Sequence, residues 1–546
     1  MSDTQSVSPA SGDRSLARGA ALITVATAAS RITGFVRVVV VASAMGTTFL
    51  ANTYQTANTA PNLIFELVAA GVLTSVFVPT FVDYVVKGRQ REGWDAANAL
   101  TSVALVALVA LSLLVALAAP LIMRMLTIGV EDADLRTRQI ALGATFLRLF
   151  SPQIALYGIG MIMTGALHAY RRFGMAAVAP IFNNLVVIGV YITYALMRSG
   201  RPPSVEGITT AETLVLGAGT TLGVVAMTVC LVPQLWRLGW RYRFRFEPSH
   251  PAVRKGTRLG IWALGYAGGY QAGLIVVLVL ANRIEGGVAA YQWAYTFFYL
   301  PHALFAIPIF NVLFTAMSEH VARGEEEALL ERLRDGVGML AFLLLPTAAI
   351  MIAAAEPLTN VTLRYGVMTG AGAALMARVL LAFAIGLPMY SSFLVFTRAY
   401  YAVGDARTPT LVNALTIAIS SVVGTILFVA LPTEWSVPGL ALGHSAGFAV
   451  GSVVLTKLFY RRVGAGGSTK LMAALTRAAV ASAVALGLMS VARLLLPEGT
   501  RTAFAVSLLV TALVGVGSYM GIMAAMGSPE LARIRGLVAN LRGRTG

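Results

Sequence analysis

The sequence predicts an all-α polytopic membrane protein of about fourteen transmembrane helices. Three observations predict it: composition, the recurrence of apolar runs of spanning length, and the alternation of charge between them. Of 546 residues, 57% are hydrophobic and 12% charged, far more apolar than a soluble domain. Runs long enough to cross a bilayer fall at 17–45, 50–82, 96–123, 141–169, 175–197, 211–236 and 257–282. Seven more follow at 287–317, 337–355, 371–397, 409–431, 436–459, 470–495 and 502–526. Alternate loops carry the cations: Arg14 and Arg18; Lys87, Arg89 and Arg91; Arg171 and Arg172; Arg237 to Arg258; Arg323 to Arg334; Lys457 to Arg462; and Arg533 to Arg544. The positive-inside rule then puts both termini in the cytoplasm.

The formal charge of +17 is distributed over short loops, which argues for membrane orientation and against a nucleic-acid partner. Cys230 is the single cysteine, which excludes an intrachain disulfide or a cysteine-ligated metal. His168, His250, His302, His320 and His444 lack metal-ligand spacing, so no metal site is expected.

Two internal matches organise the chain. His168-Ala169-Tyr170 with Gly174 and Asn183 recurs as Arg398-Ala399-Tyr400 with Gly404 and Asn413, at an offset of 230. Pro61, Phe65, Val72 and Leu73 recur as Pro301, Phe305, Val312 and Leu313. Together they predict two six-helix lobes of the same orientation plus two C-terminal helices outside the repeat. The expected divisions are a disordered cytoplasmic tail at 1–15, the first lobe at 16–238, and a basic linker at 239–256. The second lobe covers 257–460, and the final helices and basic tail 461–546. The linker interleaves Trp, Tyr and Phe with arginines, a pattern suited to anionic head groups as well as to an ordinary positive loop.

The first long run carries two arginines, in Ser30-Arg31-Ile32-Thr33-Gly34-Phe35-Val36-Arg37. On a helix, residues six apart are separated by about 9 Å and about 120°, so Arg31 and Arg37 can flank one cavity with Gly34 between them. An intramembrane arginine costs roughly 2.5–3.5 kcal/mol on insertion scales, and usually faces water, a counter-charge or a ligand. Helix 2 adds a polar stripe, Tyr54, Asn58, Asn62 and Glu66, spaced by four. Glu66 is the one carboxylate deep in an apolar run. It is expected to neutralise an arginine, make an interhelical bond, or carry a coupling proton. Pro61, Pro301 and Pro308 are expected kink or hinge positions. Tyr291, Gln292, Trp293 and Tyr295 read as an interfacial aromatic belt, the alternative being a sugar-binding wall.

These residues resemble the lipid II flippase family (MurJ/MviN) of the multidrug/oligosaccharidyl-lipid/polysaccharide exporter superfamily, in its actinobacterial form. The resemblance rests on Ser30-Arg31-x-x-Gly34-x-x-Arg37; on Gly46, Pro61-Asn62, Gly71 and Val78-Pro79; on Tyr170 to Phe173 with Pro180 and Asn183; and on Tyr401 to Pro409. It implies a transporter, not an enzyme, that moves undecaprenyl-pyrophosphate-linked disaccharide pentapeptide from the inner to the outer leaflet by alternating access. Arg31 and Arg37, with Gly34, match the family's substrate cavity, and a guanidinium fork suits pyrophosphate. The last two helices are implied to hold the polyprenyl tail. The chain departs from the family at Asn52, at Phe65 and Glu66, and at Tyr295 and Thr296, where other members carry more charge; these positions are read as cavity-lining or coupling residues.

No cofactor is expected. Coupling to membrane potential or to protons is expected, and a sodium site is disfavoured because predicted helices 7 and 11 lack acids. The expected setting is a monomer in the bacterial cytoplasmic membrane, with lipid II as ligand and cell-wall or division proteins as partners. The alternatives are an exporter of another lipid-linked glycan, a drug/cation antiporter, an intramembrane glycosyltransferase, or a scaffold. Two arginines would repel a cationic drug. A glycosyltransferase would want clustered carboxylates, for which Glu131, Asp132 and Asp134 form the densest group and read as a solvated loop.

Overall fold

The computed structural model describes residues 9–66, 90–249, 268–269, 271–463, 468–497, 499–533 and 536. Every regular element among them is helical. Twelve helices among the described residues are long and apolar enough to cross a membrane. The predicted spans 50–82 and 257–282 lie partly outside the described residues. The chain divides between Gln271 and Ala272 into two compact units.

In the first unit, α1 (Pro9–Met45) begins ahead of the expected boundary at 16. It ends where Gly46 takes a φ of 60°, a left-handed conformation that costs glycine nothing. Thr48 then caps α2 (49–66 as described), its Oγ1 accepting from the Ala51 amide at 3.2 Å. α3 (Gln90–Leu126) follows. The acidic loop after it is a helix cap: Asp132 accepts from the amides of Asp134 and Leu135 at the start of α4 (Ala133–Phe150), and Asp134 pairs with Arg138 at 2.8 Å. The predicted span 141–169 lies within one apolar helical stretch, Ala133–Ala169, whose hydrogen-bond ladder changes at Ser151 while the backbone stays helical. Pro152 opens α5 (Pro152–Ala169), since proline fits the first helical turn and lacks the amide that a continuing ladder needs.

α6 (Phe173–Met197) leads through a polar loop to α7 (Thr210–Val229) and the short α8 (Val232–Arg237). A capping box joins Thr209 and Glu212. Glu212, buried, also accepts from Arg201 at 2.7 Å.

The second unit holds α9 (Gln271–Ala281, beginning one residue before the division) and α10 (Gly287–Pro301). A single π turn (His302–Ala306) links α10 to α11 (Ile307–Arg323). Pro301 and Pro308 bracket this turn, where the helix widens locally. α12 (Glu326–Leu363), α13 (Gly370–Ala402), α14 (Arg407–Ala430), α15 (Thr433–Val463), α16 (Ser468–Leu494) and α17 (Arg501–Ala525) complete it.

α12 keeps Pro346 and Pro357 inside it, each leaving the carbonyl four residues earlier without its helical donor. Both carbonyls are claimed from outside. Tyr519 of α17 donates to Phe342 O at 2.8 Å, and Arg493 of α16 to Ala353 O at 3.1 Å. Alanines 478, 481 and 485 and Met489 of α16, with Tyr519 and Met523 of α17, pack on Ala341, Phe342, Ala349 and Ala353 of α12.

α14 and α15 cross at backbone contact. Gly439, Gly443, Gly447 and Gly451 recur every four residues along α15. A Cβ on Gly443 would stand 2.4 Å from the backbone of Gly424, and one on Gly447 2.5 Å from Thr416 O. This small-residue seam lets two helices approach where lipid offers no hydrophobic drive.

The two matched segments, around 170 and 400, stop in the same left-handed turn, one also used at Gly239, Gly324 and Gly527 and so no mark of a repeat by itself. Arg172 N donates to Leu167 O at 2.8 Å and Asp405 N to Tyr400 O at 2.9 Å. The residues before them, Arg171 and Gly404, sit at φ 55° and 76°. Arg171 and Gly404 are 233 positions apart, so the register differs by three from the offset of 230 suggested by the Ala-Tyr matches. The left-handed position, not the side-chain pattern, fixes where each helix can stop.

Asp405 caps α14, accepting from the Thr408 amide (3.0 Å) and hydroxyl (2.8 Å) and pairing with Arg462 at the end of α15. Burial works to raise its pKa. The Thr408 bonds and the Arg462 charge outweigh that and hold the carboxyl below the usual range. Its contribution is thus complete above the unfolded value of about 3.9 and lost as pH falls through the folded value. Asp405→Ala is expected to lower stability at neutral pH by about 1 kcal/mol, the cost of a lost cap. The gap from wild type should close under acid, as read by thermal unfolding in detergent at neutral pH and below pH ~3.9.

Candidate functional site: the arginine face of the first helix

Ser30 to Arg37 lie mid-way along α1, against α6. A buried amide bridges the two helices: Asn184 Nδ2 donates to Ser30 O at 3.2 Å and to Thr33 Oγ1 at 3.0 Å. Thr33 in turn donates to Ala29 O at 2.9 Å. A Cβ on Gly34 would lie 3.5 Å from Asn184 Nδ2. Gly34 therefore faces α6 at an ordinary contact distance.

Arg31 is exposed and Arg37 half-buried. Their surroundings differ. The Arg37 charge acts on the phenols of Tyr54, Tyr157 and Tyr191, drawn from α2, α5 and α6. Among the described residues no carboxylate pairs with Arg37. Tyr157 packs on Phe65 with ring centroids 5.4 Å apart and lies against Asn62.

The helix 2 stripe divides by depth in the unit. Asn52 and Tyr54 are buried. Tyr54 Oη lies 3.1 Å from Tyr191 Oη and 2.6 Å from Thr220 Oγ1, with its ring edge-on to Phe146 and Phe150. It ties α2, α4, α6 and α7 together. Asn58 and Asn62 are half-buried, Asn62 Nδ2 donating to Asn58 O at 3.1 Å. Glu66 is exposed and accepts from Gln271 Nε2. Pro61 is buried within a continuous helix.

Tyr295 and Thr296 belong to α10 in the second unit. Thr296 Oγ1 donates to Gln292 O at 3.1 Å. The Tyr295 ring contacts Phe298, Tyr299, Phe383 and His444. Tyr291 and Trp293 are buried, so the predicted aromatic belt is internal packing of α10 on α13 and α15. Its amphipathic letters suit a membrane boundary equally well, and burial decides between the two.

Sequence reasoning passed over Asn184, Tyr157 and Tyr191. Each is a polar group inside an apolar run, a signal available for all three. Among the described residues no cluster of His, Cys, Asp or Glu could hold a metal ion.

Residues 41–515 match the family described as Lipid II flippase MurJ. The chain belongs to the MurJ lipid II flippase family. A probable lipid II flippase MurJ of Rhizobium tropici is 27% identical over 443 residues, covering 80% of this chain and 79% of that one. One from Rhizobium meliloti (strain 1021) is 25% identical, covering 86% and 85%. In fold, a solved MurJ in an inward closed conformation aligns with a TM-score of 0.74 at 19% identity, covering 92% of this chain and 98% of that one. An inward-facing MATE-family transporter of the MOP superfamily aligns at 0.65 and 13% identity, covering 80% and 95%. The MurJ match reaches from within α1 to within α17, so it takes in Asn184, Tyr157 and the glycine seam, while Arg31 and Arg37 lie just before its first residue. A MurJ-family protein is a multi-pass membrane transporter and not an enzyme.

Proposed function

We propose that this protein flips lipid II across the bacterial cytoplasmic membrane by alternating access, and that Arg31 and Arg37 hold its pyrophosphate. The observation that carries the site is Arg37, a half-buried cation whose charge acts on three phenols and that has no carboxylate partner among the described residues. A neutral polar surrounding leaves its charge for an incoming anion, and charge-assisted bonds to phosphate are the strong ones. Asn184 keeps α1 in register with α6. Both termini lie in the cytoplasm, as the basic loops require. The protein works as a monomer, with cell-wall synthesis or division proteins as partners. Membrane potential acting on the bound charges, or protons, sets net direction.

The test is complementation of a bacterium depleted of its own lipid II flippase, with lipid II on the outer leaflet assayed directly. Wild type is expected to restore growth and exposed lipid II; Arg31→Ala with Arg37→Ala, at matched membrane levels, is expected to restore neither. Failure of well-expressed wild type would point to another lipid-linked glycan or to a missing native partner. Rescue by the double variant would remove the pyrophosphate from these arginines.

A further inference from the structure

The segment after α8 is not a free loop. Trp240 stacks on Trp94 of α3, ring centroids 5.7 Å apart, and its Nε1 donates to Asn98 Oδ1 at 2.9 Å. The amides of Arg243 and Arg245 donate to Asn98 Oδ1 (3.3 Å) and Ser102 Oγ (2.8 Å). Tyr242 Oη lies 3.0 Å from Ser102 Oγ. The two spacings agree: four residues of helix rise about 6 Å and two residues of extended chain about 6.6 Å. Residues 240–246 therefore run as an extended strap along the first turns of α3, in the same direction.

That register places the strap along one end of the α3 span. Asp95 is the last charged residue of α3 before Arg124, and the polar Asn98, Thr101 and Ser102 follow it. The strap therefore lies against the stretch where α3 passes from charged to apolar. Along it arginines and aromatics alternate, Arg241, Arg243 and Arg245 against Trp240, Tyr242, Phe244 and Phe246. Trp240 is buried as the anchor, whereas Trp236 (54%), Phe244 (63%) and Phe246 (51%) stand exposed. Arg245 is engaged by Glu247 at 2.6 Å and Asp95 at 3.6 Å. Among the described residues no carboxylate pairs with Arg237, Arg241 or Arg243, and Arg241 sits over the Trp236 ring at 5.2 Å.

We infer that this strap is a docking surface for acidic phospholipid. Arg237, Arg241 and Arg243 meet the lipid phosphates, and Trp236, Phe244 and Phe246 enter the acyl boundary beside them. Exposed aromatics rimmed by unpaired cations, at the polar edge of a membrane span, have the composition of an interfacial anchor. A juxtamembrane basic residue is drawn to an anionic surface, and the attraction is screened by salt. A solvated loop of the same charge would gain nothing from the pinning by Asn98 and Ser102, which holds both edges of the alternation in place.

The experiment uses the full chain with Cys230→Ala and Phe246→Cys, labelled with an environment-sensitive NBD dye. It is reconstituted in vesicles of phosphatidylcholine alone or of an equal mixture of phosphatidylcholine and phosphatidylglycerol. The expected result is blue-shifted emission in the mixture only, reversed by high salt and lost in Arg241→Gln with Arg243→Gln. Identical water-like emission in both vesicles would overturn the inference. So would a blue shift in both that ignores salt, which would instead place the strap against protein. Should the double variant fail to fold, the salt titration of the protein with its arginines intact decides alone. No transport is measured, so the result stands apart from the lipid II assignment.

Discussion

Arg37→Ala alone is expected to abolish rescue of a flippase-depleted bacterium, while Arg31→Ala leaves measurable transport. The asymmetry follows from exposure. Arg31 is exposed, whereas Arg37 is half-buried with its charge acting on Tyr54, Tyr157 and Tyr191, and an ionic hydrogen bond made from a more buried group is less screened. A bond to a charged group contributes about 1.5–3 kcal/mol, which corresponds to roughly 10- to 150-fold in affinity at 1.4 kcal/mol per decade. Arg37→Lys keeps the charge and loses the fork, so it should recover part of the loss. The measurement is lipid II on the outer leaflet at matched protein levels, with thermal unfolding in detergent as the check on folding. Equal loss in both single variants would show that the two arginines act as one site. No loss at Arg37 would send the pyrophosphate elsewhere.

Gly443→Val is expected to leave no folded second unit. Its new Cβ would meet Gly424 Cα and N at 2.4 Å and Ser420 O at 2.6 Å. These are backbone atoms of a packed helix and cannot rotate away. Overpacking ordinarily costs about 1–3 kcal/mol, and here relief requires moving α14 as a whole, along with the Gly439, Gly447 and Gly451 contacts of the same seam. Gly487→Val on α16 is the control, since nothing lies within 4 Å of a Cβ there. Membrane-extracted protein should show monodisperse Gly487→Val and aggregated or degraded Gly443→Val on size exclusion. A monodisperse, thermally unaltered Gly443→Val would mean that α14 and α15 do not need backbone contact.

Much of the helical layout was legible because apolar runs of spanning length and charged loops are both properties of single segments. Interruptions were harder to place. Pro152 and the Pro301–Pro308 pair announce a change in the helix but not its form, because one gives a change of hydrogen-bond ladder within a helical backbone and the other a π turn. The arginine pair stood out because a charge in an apolar run carries its own signal. What each residue faces did not stand out. Gly34 reads equally well as room for a ligand or room for a helix, and only the position of Asn184 separates them. Tyr54 and Glu66 share a spacing of four, yet one is buried in a hydroxyl network and the other exposed. A stripe on one helix says nothing about how far each neighbour extends along it. The seam at 439, 443, 447 and 451 was readable as a motif, though its partner on α14 was not.

The two carbonyls of α12 that borrow their donors bear on how the chain is made. Phe342 waits for a hydroxyl 177 residues further on, and Ala353 for a guanidinium 140 residues further on. Until those arrive, α12 presents two bare acceptors to hydrocarbon, each costing several kcal/mol. During synthesis at about 5–20 residues per second, that interval lasts on the order of ten seconds or more. The last two helices therefore complete a helix laid down long before them. The second unit is a late-closing assembly, complete only once α16 and α17 have been made.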